Sequence, residues 1–126
     1  MSMLTPLARA RGLGSARDGT EHFWHQRLTA VANAVLMTIF VLILVSHVGA
    51  TYEEMRGLIA QPPVALLFLA MVVSGAVHMR LGMQVIIEDY VHGGGAKLAC
   101  LMANTFFSVA VGLGAAFAIL KISFGG

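Results

Sequence analysis

Apolar residues run almost unbroken through three stretches of the chain, residues 30–50, 64–87 and 98–120, with polar positions gathered between and before them. The strongly polar interruptions of the second stretch are His78, Arg80 and Gln84. Each reaches the roughly 20 residues that a helix needs to cross about 30 Å of hydrocarbon. The pattern therefore predicts an all-α membrane protein with three transmembrane helices, at about residues 30–50, 64–90 and 98–121. A 1–29 arm precedes them, and the whole of 1–126 forms a single membrane-anchor domain. Pro62-Pro63 supplies a start for the second helix, where missing amide donors do no harm. Gly93-Gly94-Gly95 is expected to close the turn after it. The run lacks the Lys-Ser/Thr of a phosphate loop.

Composition agrees with the pattern. Hydrophobic residues make up 58% of the chain and charged residues 11%, with a mean hydropathy of +0.83, where soluble chains carry about 25% charged residues. The lone Cys100 sits in an apolar run and cannot form an intrachain disulfide; it reads as a small packed side chain.

The charges report topology. Arg9, Arg11, Arg17 and Arg27 precede the first span and Lys97 lies between the second and third, whereas the other side carries only Arg56, beside Glu53 and Glu54, and Lys121. Short cytoplasmic flanks are enriched in Lys and Arg, so the N-terminus is expected in the cytoplasm and the C-terminus in the periplasm. The net charge of +2 is then a topology signal. No basic stripe with interleaved aromatics points to nucleic acid. Residues 1–18 hold arginines, serines and no acid before Asp18, a composition shared with transit peptides; as a retained arm they point to a bacterial inner membrane.

The second span carries the chemistry. At about 100° per residue, Asp89 returns to within roughly 20° of the His78 face, about 16 Å along the axis. Gly75 and Gly82 fall within about 60° of that stripe, where small residues let a flat group or another backbone come close. Tyr90 lies about 120° around and Arg80 nearly opposite. An imidazole in hydrocarbon has three readings: a hydrogen-bonded structural residue, a proton-relay member, or an axial ligand to haem iron. His47 lies near the far end of the first span, while His78 is about 21 Å down the second, so the two cannot grip one iron. His22, His25 and His92 sit on the cytoplasmic fringe. A second ligand to iron on His78 must come from another chain.

The spacing His78-x3-Gly82-x6-Asp89-Tyr90, followed by His92-Gly93, resembles the small membrane-anchor subunits of succinate:quinone oxidoreductase, the succinate dehydrogenase of respiratory complex II. The segment His22-Phe23-Trp24-His25-Gln26-Arg27-Leu28-Thr29-Ala30 is similar to that family's entry into its first span. The resemblance runs from about residue 20 to the end.

It implies half of a six-helix bundle, completed by a second three-helix, cytochrome b-type anchor subunit, with an iron-sulfur subunit and a flavoprotein subunit docked on the cytoplasmic side. It implies a shared haem b with His78 as one axial ligand to the iron, Gly82 beside it and Arg27 facing a propionate or the quinone pocket. Tyr90 would hydrogen-bond a ubiquinone carbonyl at the rim, and Asp89 would supply protons. Such a chain would have no activity alone.

Blander readings stand beside these. Tyr90 and Trp24 suit a membrane-interface belt, Arg27 suits a topology signal, and Asp89 and Glu88 suit a solvated helix end. His47 reads as an interface residue and the eight methionines as packing material. Arg80 has no assigned partner. The alternatives for the whole chain are a fumarate reductase anchor and a non-enzymatic three-helix membrane protein with a His78–Asp89 proton relay.

Overall fold

The computed structural model describes residues 19–125; the readings of Arg9, Arg11, Arg17 and Asp18 fall outside them. Within that range the regular structure is all helical, in four elements: α1 (Gly19–Ser46), α2 (Tyr52–Ile59), α3 (Pro62–Tyr90) and α4 (Gly94–Ser123). Helices α1, α3 and α4 are long and apolar enough to cross a membrane. This is a multi-pass membrane protein.

Helix α1 differs most from expectation, because it starts eleven residues before the apolar stretch. Hydropathy marks where a chain lies in hydrocarbon, not where its helix begins. The segment from Thr20 to Thr29 is polar but contains no Pro or Gly, so nothing interrupts the backbone ladder. The helix closes at Ser46 in a turn through Gly49, whose φ of 89° is left-handed, a conformation that glycine adopts without a Cβ clash.

Helix α2 is not expected from hydropathy. Thr51 caps it: the Glu54 amide donates to Thr51 Oγ1 at 3.3 Å, and the Thr51 amide donates to Glu54 Oε2 at 2.7 Å. This reciprocal pair is a capping box, and the Thr-x-x-Glu spacing is its signature.

Pro62 and Pro63 occupy the first turn of α3, as expected. The reversal into α4 works otherwise than the glycine run suggests. Val91 is extended, Gly93 has φ −75°, and no glycine of the run is left-handed. Lys97 belongs to the first turn of α4 and donates from Nζ to the Glu88 carbonyl at 2.8 Å. A cation there satisfies a carbonyl at the C-terminus of α3, where the helix dipole favours it.

Helix α3 is the middle of a row. It packs against α1 on one side and α4 on the other, and α1 and α4 do not pack directly on each other. Short α2 touches both α3 and α4. On the α4 side, a Cβ on Gly112 would lie 3.2 Å from the Ala76 Cβ, so the backbones approach closely. Asn104 Nδ2 donates to the Arg80 carbonyl at 2.9 Å, and buried Ser108 donates to Asn104 Oδ1 at 3.4 Å. The apolar core gathers at the Pro62 end. There Ala65, Phe68 and Ile119 are buried, and Phe40 meets Phe68 edge-on at 5.2 Å.

Among the described residues only Ala65, Phe68, Ile87 and Ile119 are buried hydrophobics, whereas large apolar side chains along all three long helices remain exposed. In lipid such surface needs no burial, and packing and interhelical hydrogen bonds hold the helices together instead. With α1 and α4 each packed on α3 and not on each other, apolar side chains of all three helices stay exposed.

Candidate functional site

The contact between α1 and α3 is built from two polar stripes of helical spacing. On α1, His22, Gln26 and Thr29 stand at i, i+4 and i+7; on α3, Ser74, His78 and Gly82 stand at i, i+4 and i+8. Both sets return to one face. The helices run antiparallel, and their stripes meet. A Cβ on Gly82 would lie 3.3 Å from Gln26 Nε2, Thr29 Oγ1 lies 3.1 Å from His78 Nδ1, and Ser74 Oγ donates to the Thr29 carbonyl at 3.5 Å.

Small residues at 74 and 82 let α1 come near enough for Thr29 to reach the imidazole. The backbone that approaches this stripe is thus the chain's own first helix. Gly82 is covered by Gln26, while nothing lies within 4 Å of a Cβ placed on Gly75. Open space beside His78 is found at Gly75.

His78 is half-buried. Its ring makes one hydrogen bond among the described residues, through Nδ1. The Thr29 hydroxyl also reaches two carbonyls of its own helix, His25 O at 2.8 Å and Gln26 O at 3.2 Å.

His47 is remote from this point. It follows α1 eighteen residues after Thr29, or roughly 27 Å along the helix axis. Its Nδ1 is engaged locally with the Ile43 carbonyl at 2.8 Å and Ser46 Oγ at 3.0 Å. Since Thr29 sits beside His78, the two imidazoles lie at different depths.

The antiparallel register, continued toward Tyr90, brings the start of α1 level with Asp89. Asp89 and Tyr90 are exposed at the end of α3, Tyr90 at 77%. Glu88, off the stripe, accepts from Gln84 Nε2 at 2.8 Å.

Arg27 is not brought to His78. It lies about 160° around α1 from Thr29, is exposed, and stacks its guanidinium 4.8 Å from the centre of the Phe23 ring. Phe23 in turn meets Trp24 edge-on at 6.2 Å. Because α1 continues to Gly19, Arg27 stands two turns inside the helix, and its side chain folds back toward the helix start. Arg80, on the α4 side of α3, is exposed.

Two residues of the site escape hydropathy-based reasoning. His22 Nε2 and Gln26 Oε1 are buried without a hydrogen-bond partner, yet both lie in what reads as an arm. The signal that finds them is His22-x3-Gln26-x2-Thr29, a helical spacing that continues the face of Thr29 toward Asp89. Buried polar atoms without partners are uncommon and mark places where water or a ligand enters.

A family model described as succinate dehydrogenase/fumarate reductase transmembrane subunit matches residues 1–112. The chain is 34% identical over 125 residues to a succinate dehydrogenase hydrophobic membrane anchor subunit of Paracoccus denitrificans, covering 99% of this chain and 96% of that one. It is 30% identical over 108 residues to the protein of the same description from Rickettsia bellii (strain RML369-C), covering 82% of each. No solved structure matches it. With three membrane-spanning helices and a match over nearly its whole length, the chain belongs to the family of succinate dehydrogenase/fumarate reductase transmembrane subunits.

Proposed function

We propose that this chain anchors a succinate dehydrogenase in a bacterial inner membrane, shares a haem b with a second anchor subunit through His78, and forms part of the site where ubiquinone is reduced. The observation that carries the reading is the state of His78, an imidazole inside an apolar span whose Nδ1 is held by Thr29 while Nε2 has no hydrogen-bond partner among the described residues. A polar group left open in hydrocarbon costs several kcal/mol, and a metal is an occupant that removes the cost. A neutral imidazole with one nitrogen hydrogen-bonded and the other open fits an axial haem ligand. The second ligand comes from the partner anchor, because His47 is remote and the long helices leave apolar side chains exposed for another chain to cover. The haem, when bound, supplies one-electron redox chemistry near the quinone.

This chain's residues also favour proton and carbonyl handling at the Tyr90 end. The Tyr90 hydroxyl, exposed at the close of α3, donates to a quinone carbonyl. Asp89, on the His78 stripe, takes protons from the cytoplasm and passes them on. His22 and Gln26, with unpaired buried atoms, extend that polar line between the rim and His78. Arg27, on the outward side of α1, offers a positive charge to an anionic group held by the partner chains. Electrons arrive from an iron-sulfur subunit docked beside this end, fed by a flavoprotein that oxidises succinate. The basic flank of α1 and Lys97 support placing the Gly19 and Tyr90 ends in the cytoplasm and the C-terminus in the periplasm.

Absorption spectroscopy of the complex purified with its partners tests the reading. His78→Ala should abolish the low-spin b-type haem spectrum while the soluble subunits remain attached; an unchanged spectrum removes His78 as the ligand.

A further inference from the structure

Among the described residues Thr29 is the hydrogen-bond partner of the His78 ring, and its hydroxyl has a single hydrogen to give. Two carbonyls of α1 lie within reach of it, at 2.8 and 3.2 Å, and a carbonyl can only accept. The shorter distance is that of an ordinary O–H···O bond, whereas the 3.1 Å to His78 Nδ1 falls in the range of N–H···O bonds. Threonine inside a helix habitually donates to the carbonyl four residues back.

If the hydroxyl hydrogen goes to His25 O, the oxygen is left with lone pairs, and Nδ1 must bring the proton. The opposite assignment would put the ring's hydrogen on Nε2, where no acceptor exists among the described residues, and would orphan a donor inside the membrane. We infer that Thr29 is a positioning residue that holds His78 in the tautomer with hydrogen on Nδ1, keeping the Nε2 lone pair free for iron. This deepens the haem reading and rests on it.

The consequence is chemical as well as geometric. A neutral imidazole offers a metal only its unprotonated nitrogen. An acceptor on the other nitrogen fixes the ring's orientation and strengthens it as a donor. Removing the acceptor frees the tautomer and the ring together. Ligand strength falls, and the oxidised iron, which draws more on the imidazole, loses more stabilisation than the reduced iron. Haem retention should weaken and the midpoint potential should rise.

The test is Thr29→Val, which keeps the branched shape and removes the oxygen, beside Thr29→Ser, which keeps the oxygen. Haem absorbance per complex and the haem midpoint potential are measured in the intact complex. Thr29→Val should retain haem at least about tenfold less firmly and shift the potential upward, while Thr29→Ser matches wild type in both. Thr29→Ala gives the same readouts if the valine variant does not assemble.

Wild-type haem content and potential in Thr29→Val or Thr29→Ala would overturn the role of Thr29, as would a serine variant as defective as the others. His78→Ala separates the two claims. Loss of haem there with no effect at position 29 overturns the positioning role alone, whereas haem retained in His78→Ala overturns the ligand reading beneath it.

Discussion

Gln26 lies over the bare backbone of Gly82, its Nε2 only 3.3 Å from where a Cβ would stand. This close approach sets the spacing at which Thr29 meets His78, since both contacts belong to one pair of facing stripes. A methyl at position 82 meets the far end of a flexible side chain, which can give by a few tenths of an ångström. Gly82→Ala should therefore keep haem content within about twofold of wild type, given that helix propensity favours alanine over glycine by up to about 1 kcal/mol. Gly82→Leu cannot be absorbed in that way; it should part α1 from α3 and lower haem content severely. Haem absorbance per complex distinguishes the two, and a leucine variant with full haem would show that α1 need not approach at Gly82.

Tyr90 is tested apart from the haem. Its hydroxyl is free at the end of α3, and if it donates to a quinone carbonyl, Tyr90→Phe removes one hydrogen bond and little else. A bond worth about 0.5–1.5 kcal/mol corresponds to roughly a two- to tenfold fall in succinate-driven quinone reduction. Reduction of a soluble dye that takes electrons before the membrane should change little. Equal loss with both acceptors would point to damaged assembly, and no loss with either would leave Tyr90 as an interface aromatic.

The legibility of this chain divides along a physical line. The three spans were readable because hydrocarbon demands long apolar helices, and His78 was conspicuous because it breaks one. The phase of Asp89 followed from helix geometry alone. The first turns of α1 were not readable from hydropathy, since a helix emerging from the bilayer keeps its backbone but changes its residues. His22 and Gln26 stand in the entry segment that carries the resemblance, yet hydropathy gives them no place in the site, although their spacing from Thr29 is helical. Helix α2 is silent in hydropathy because its eight mixed residues have no hydropathic signature; the capping spacing of Thr51 and Glu54 is its local signal. That α1 covers Gly82 depends on which helix packs where, and no local pattern carries that information.

On the other side of α3, Asn104 and Gly112 hold α4 by different means. Asn104 Nδ2 donates to the Arg80 carbonyl, an interhelical bond in the membrane worth about 0.6 kcal/mol on average and up to about 1.7. Gly112 instead allows backbone approach against Ala76, where added bulk brings overpacking of about 1–3 kcal/mol. Asn104→Leu should lower the thermal stability of the detergent-solubilised complex slightly, and Gly112→Leu should lower it more. A reversed order would mean that the hydrogen bond, rather than close packing, governs this contact.

Glu54 gives the fold a pH dependence outside the spans. Its carboxylate accepts from the Thr51 amide at 2.7 Å and the Thr51 hydroxyl at 3.0 Å. Those bonds, the backbone one foremost, hold the exposed carboxyl below its ordinary value, with a smaller pull from His47. Because the folded value is the lower one, the stabilisation of α2 is complete above the unfolded carboxylate value of about 4.3. It fades as pH falls through the folded value. Amide hydrogen exchange across Tyr52–Ile59 should stay protected from neutral pH down to about 5, after allowance for intrinsic exchange rates, and lose protection under stronger acid. Glu54→Ala should show weak protection at neutral pH and little further change on acidification. The same acid transition persisting in Glu54→Ala would assign the titration to another group.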